Sequence, residues 1–277
     1  MKSRIKNYIE LHPGNWLFNA SYMGFIDLLE FSDIPVEREL IDGKLDMQIL
    51  LEFFREKTDE LKDNEFLKDL PKWQWKYLLR HFYFQYGNIE NLVKRAIKEK
   101  KLNILIKKEV KDKAKKESRS IGIIDNYLKK EVYEKINDLL ESAKNNDENL
   151  VDVEKEIIKI IKPHKFLYIY RKSLGTLFSK GAIYENLFNN VWFNDVSKFA
   201  NFINYQTITE QSIDNNQCVF CKKTKFQTRP LKAELMNLLF PVYNKFPNAF
   251  WNNTRDNATL ICSFCEFLII HHHFSFT

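Results

Sequence analysis

Glycine and proline are scarce, with seven of each in 277 residues. So few backbone breakers, set against abundant Leu, Ile, Lys and Glu, favour helix over sheet. Long apolar runs are missing too: no stretch approaches the ~20 residues of a membrane span. The opening Met1-Lys-Ser-Arg-Ile-Lys-Asn-Tyr-Ile-Glu10 is too polar for a secretory signal. A cytoplasmic protein with no membrane partner is expected. Catalytic signatures are also absent, since the chain has no P-loop, no GxGxxG and no HExxH. No nucleophile stands out, so a binding or structural component is expected rather than an enzyme.

Cysteine is limited to four residues, and they form two CxxC pairs, Cys218-Val-Phe-Cys221 and Cys262-Ser-Phe-Cys265. Two residues between thiols let both sulfurs of one turn face a single tetrahedral ion, and two such turns complete a Cys₄ shell. A structural Zn²⁺, one per chain, is the expected occupant, clasping the forty residues 222–261. The alternatives are an iron–sulfur cluster, a redox pair, unmetallated buried thiols, or disulfides in an oxidising compartment. Paired CxxC turns also scaffold HNH nucleases, which need a histidine near the zinc to activate water. The histidines are His12, His81, His164 and His271–His273, and none lies between the pairs. Successive residues of a helix point in different directions, so His271–His273 read as part of a buried helix end.

What the chain has in plenty is aromatic and basic residues. Aromatics make up 14% and hydrophobic residues 44%, at a mean hydropathy of −0.42, enough for a sizeable core. Net charge is +6, but residues 94–119 hold twelve Lys or Arg against four acids, so this window is +8 and the remainder −2. Such a strip is either the solvated face of a long helix or a footprint for phosphate backbones. Its densest part holds Lys107, Lys108, Lys111, Lys113, Lys115, Lys116 and Arg119. A second group, Lys222, Lys223, Lys225 and Arg229, follows the first cysteine pair. It either balances the thiolates or contacts phosphates.

The order of patterns predicts an α+β fold, predominantly helical, with a small N-terminal β-hairpin and a Cys₄ zinc-binding module near the C-terminus. A helix over 15–30 is expected, capped by Asn15, with Trp16, Ala20, Met23 and Leu28 on its apolar face and Gly24 admitting a close neighbour. Asp42-Gly43 suits a type I′ turn between 36–41 and 44–47. Helices are expected over 48–62 and 73–86, the second a row of Trp73, Trp75, Tyr77, Phe82 and Tyr83. That row either stacks bases or is simply core. Beyond it come a basic helix from 89 with breaks near 102–106, then helices over 121–143 and 150–161. Phe166-Leu-Tyr-Ile-Tyr170 reads as a strand, and 184–205 as the last long helix. Composition divides the chain into a helical domain, 1–205, and a zinc module, 206–277.

Several strings together resemble a family. Asn15-Trp-Leu-Phe-Asn-Ala-Ser-Tyr-Met-Gly-Phe-Ile26, the first cysteine pair, Phe246-Pro-Asn-Ala-Phe-Trp-Asn-Asn253, the second pair and Leu268-Ile-Ile-His-His-His273 are similar, in order and spacing, to the large subunit of type I CRISPR effector complexes. The branch resembled is the CXXC–CXXC branch of type I-B systems. The resemblance implies a non-catalytic role in RNA-guided antiviral defence: binding guide RNA and target double-stranded DNA beside other effector subunits, and helping recognise the motif that flanks the target. Guide pairing then reads sequence, while protein reads a short duplex motif and the backbone. It gives the basic strip a use. Family members usually continue beyond the second pair, so a fragment is expected here. A zinc-stapled helical adaptor that binds only proteins is the alternative.

Overall fold

The structure, a computed structural model of the chain, describes residues 8–10, 16–36, 44–46, 53, 56–105, 119–146, 150–178, 218, 220, 228–230, 260–262, 265, 268–269, 271 and 274–275. These residues are predominantly helical. None of the described helices is long and apolar enough to cross a membrane. The chain divides into two compact units, 57–180 and a second made of 1–56 with 181–277. The division differs from the one read from composition, because the N-terminal segment belongs with the cysteine-bearing end.

In that second unit, β1 (Tyr8–Glu10) pairs antiparallel with β2 (Lys44–Asp46), Ile9 opposite Leu45. The partner of β2 seen here is therefore the N-terminal strand. Of the expected hairpin partner, 36–41, residues 37–41 lie outside the described residues. Helix α1 (Trp16–Phe31) starts just after Asn15, which is itself outside them. Its buried face is made by Phe18, Tyr22, Phe25, Ile26, Leu28 and Leu29, while Trp16 and Met23 are 58% and 56% exposed. Of the expected face Leu28 is buried, but Trp16 and Met23, seven residues apart, lie on the opposite side. The helix ends at Phe31; the Ser32 hydroxyl donates to the Leu28 carbonyl at 2.6 Å, and Asp33, whose φ of 59° is left-handed, turns the chain away. A second antiparallel pair joins β3 (Thr228–Pro230) to β4 (Leu260–Cys262).

The 57–180 unit is a helical bundle with one continuous core. The expected helix over 48–62 does not reach its end: Lys57 bridges Pro71, and the Thr58 hydroxyl accepts from the Glu60 N–H to open a 3₁₀ turn, Asp59–Leu61. Local capping wins there over apolar periodicity. Helix α2 (Lys72–Tyr86) runs to Gly87, whose φ of 75° releases the chain into α3 (Ile89–Lys98), capped by Asn88. A 3₁₀ turn, Leu102–Ile104, follows. Helices α4 (Arg119–Leu128) and α5 (Glu134–Asn146) are joined by a π-helical turn, Lys129–Tyr133. Then come α6 (Leu150–Ile161) and α7 (Lys165–Phe178). Residues Phe166–Tyr170, read as a strand, are thus helical. The 3.6-residue period of Leu167, Tyr168, Arg171 and Leu174, all buried, decides the matter over local β-propensity.

Candidate functional site

Gly24 is where α1 meets the C-terminal end of the chain. A Cβ placed there would stand 1.9 Å from the His271 carbonyl oxygen and 3.3 Å from the Ser275 N–H. The Phe25 ring meets the His271 imidazole edge-on at 5.1 Å, and Phe274 lies 6.3 Å beyond it. His271 is fully buried, with Nδ1 3.3 Å from the Leu268 carbonyl. Its expected place in a buried helix end fits that position. His272 and His273 lie outside the described residues.

The cysteine segments belong to the same unit. Cys218 and Cys265 are both buried and form no disulfide. Cys262 closes β4, where it stands opposite Thr228, seven residues after Cys221. The β3–β4 pairing therefore brings the chain that leaves the first CxxC turn beside the chain that enters the second. Among the described residues no three ligands converge on a metal, but Cys221 lies outside them, as does the Cys262 side chain. Cys218 and Cys265 are thus buried thiols outside any disulfide, and Cys221 and Cys262 are the other two cysteines of the chain.

Of the bases singled out by sequence, Lys107, Lys108, Lys111, Lys113, Lys115, Lys116, Lys222, Lys223 and Lys225 lie outside the described residues. Arg119 is the first residue of α4, and Arg229 sits mid-β3 opposite Ile261. By sequence, residues 57–180 hold 29 Lys and Arg against 20 Asp and Glu, a net +9, leaving −3 for the other unit. The described start of the basic strip is an exposed row on α3 and the turn after it: Lys94, Arg95, Lys98 and Lys101. Lys94 stands 3.9 Å from Glu154 and Lys101 2.9 Å from Glu99. The Arg95 guanidinium lies 5.3 Å over the Tyr86 ring and donates to the Gln85 carbonyl at 3.4 Å. Most of the aromatic row on α2 is core, since Trp73, Trp75, Tyr77 and Phe82 are buried, whereas Tyr83 is 40% exposed.

Sequence reasoning passed over a polar cluster inside this bundle. Arg171 on α7 grips Asp125 on α4 through two N–H donors, Nη2 to Oδ2 at 2.9 Å. Burial pushes the Asp125 carboxyl up to about 6 and the Arg171 guanidinium down to about 10. Next to it, Lys172 donates to the Ile104 carbonyl, and Tyr168, one turn earlier, donates to the Leu105 carbonyl at 3.0 Å. Burial, with Arg171 adding repulsion, pulls the Lys172 amine down to about 7. The Tyr133 hydroxyl closes the π-helical turn, buried and without a hydrogen-bond partner. The only sequence signal was two bases inside an apolar helical period. No family model, curated protein or solved structure matches the chain.

Proposed function

We propose that this chain is a non-catalytic, nucleic-acid-binding large subunit of a CRISPR RNA-guided surveillance complex, stapled by one structural Zn²⁺ on Cys218, Cys221, Cys262 and Cys265. The observation that carries the reading is the Gly24–His271 contact. Gly24 in the first string of the resemblance and His271 in the last are 247 positions apart in sequence but adjacent in the fold. Buried thiols at Cys218 and Cys265 favour the metal, and the +9 of the helical unit favours a polyanionic partner. In this reading the module holds surfaces in place, guide pairing supplies sequence, and cleavage is left to a recruited enzyme.

The exposed Trp16 and Met23 on α1 favour a second reading, in which a zinc-stapled adaptor binds only proteins. The two part on salt. Nucleic-acid affinity of the purified chain should fall steeply between 50 and 200 mM salt, by about 0.7–0.9 decades per decade of salt for each phosphate neutralised. Binding to neighbouring protein subunits with no shift of DNA or RNA would leave the adaptor. Elemental analysis should find a single zinc, lost together with thermal stability in a Cys218→Ser/Cys262→Ser variant.

A further inference from the structure

The corner between α2 and α3 combines two features that the basic strip alone does not have. Gly87, in the left-handed region, turns the chain tightly, so the last turn of α2 lies against the second turn of α3. Tyr83 and Tyr86 are three residues apart on one face of α2. Tyr83 is exposed, and Tyr86 already carries the Arg95 guanidinium on its ring. Beside Arg95 stand Lys94 and Lys98, about one 5.4 Å turn apart on α3, and Lys101 in the turn after it. Their acidic neighbours are few: Glu99 and Glu154 each pair with one of them, and Glu90 lies a turn before.

We infer that this corner binds single-stranded nucleic acid, one base stacking on Tyr83 beside the Tyr86–Arg95 pair and the following phosphates running along Lys94, Lys98 and Lys101. An aromatic face offered beside a row of cations suits a strand whose bases are unstacked and reachable. A duplex hides its base faces and presents phosphates only. Arg95 fits the task, since its guanidinium already lies over the Tyr86 ring. The Asn88 cap and the ring contacts among Phe82, Tyr83 and Tyr86 fix the corner before any ligand arrives.

The inference rests on the proposed function only in taking the polyanion to be nucleic acid. The test uses the full chain, with oligo-dT and oligo-rU single strands and a blunt DNA duplex, titrated at several salt concentrations. Tyr83→Ala should weaken binding of both single strands roughly tenfold, the order of one base–aromatic stack, with less than a twofold effect on the duplex. Tyr83→Phe should restore it. Lys98→Ala should lower the salt slope for single strands by about 0.7, one phosphate's worth. Matching circular dichroism melts keep folding out of the comparison. Salt-dependent binding by the parent that Tyr83→Ala and Lys98→Ala leave unchanged overturns this site and spares the proposed function. An equal loss on duplex and single strand overturns the stacking. A parent that binds none of the three probes overturns both.

Discussion

Gly24 and His271 meet so closely that no side chain fits between them: a Cβ on Gly24 would stand 1.9 Å from the His271 carbonyl oxygen. The obstacle is backbone, which cannot swing aside as the end of a flexible side chain would. Relief needs a shift of α1 away from the Leu268–Phe274 segment and away from the Phe25–His271 ring contact. Alanine is the better helix former by about 1 kcal/mol, yet overpacking of this kind costs more, about 1–3 kcal/mol. Gly24→Ala should therefore lower the melting temperature of the unit that holds the cysteines. Hydrogen exchange should show lost protection in α1 while α2 to α7 keep theirs.

Asp125 and Arg171 make an ion pair inside the bundle, and of the two only Asp125 reaches solvent, at about one-third exposure. Removing the carboxylate strands a buried guanidinium, a change that typically costs about 3 kcal/mol. Asp125→Asn should destabilise by about that much in urea titrations. The double variant Asp125→Leu/Arg171→Met should recover most of the loss, because no charge then remains to desolvate. A double variant as unstable as the single one would mean that packing around Arg171, and not its charge, supports α7.

Glu60 ties the segment before α2 to that helix. Burial alone would raise its carboxyl, but hydrogen bonds from Lys76 and Trp75 hold it below the ordinary range. A depressed carboxylate contributes stability that is present above its unfolded pKa and is lost as pH falls through the folded one. Glu60→Gln keeps the shape and removes the charge. It should cost about 1 kcal/mol at pH 7 and progressively less below pH 4, read by denaturant midpoints across that range.

Some of this fold is legible in the sequence, and the failures have physical causes. Gly24 in a helix of otherwise good formers signals a close neighbour, and the Trp73–Phe82 row signals core. Trp16 and Met23 misled because size suggests burial, whereas Ser21 and Gly24 lie on the buried side. The Phe166–Tyr170 run hid its helix because the period passes through Arg171, whose charge masks an inward position. Arg171 and Lys172 find partners 46 and 68 residues away, in Asp125 and Ile104. No local pattern encodes such pairings. In the candidate site, spacing picks out the cysteines, while the Tyr86–Arg95 contact needs the turn at Gly87 to be seen.

Lys172 makes the helical unit's stability depend on pH in a window where little else titrates. Its amine is almost fully buried against the Ile104 carbonyl and the Tyr168 ring, and burial with the neighbouring Arg171 draws it down to about 7. In the unfolded chain it keeps its ordinary value of about 10.4. Between those values the unfolded state holds the extra proton, so stability rises with pH there and falls as pH drops through the folded value. His164, also held low, titrates below its usual 6.5, and Asp125 near 6. Tyr133, Tyr168 and Tyr170 are pushed upward and act above 10. From pH 7.5 to 9 the slope belongs to Lys172, about 1.4 kcal/mol per pH unit for one proton. Urea titrations across this range should show the rise, and Lys172→Met should flatten it. A variant with the parent's slope would place the titrating group elsewhere.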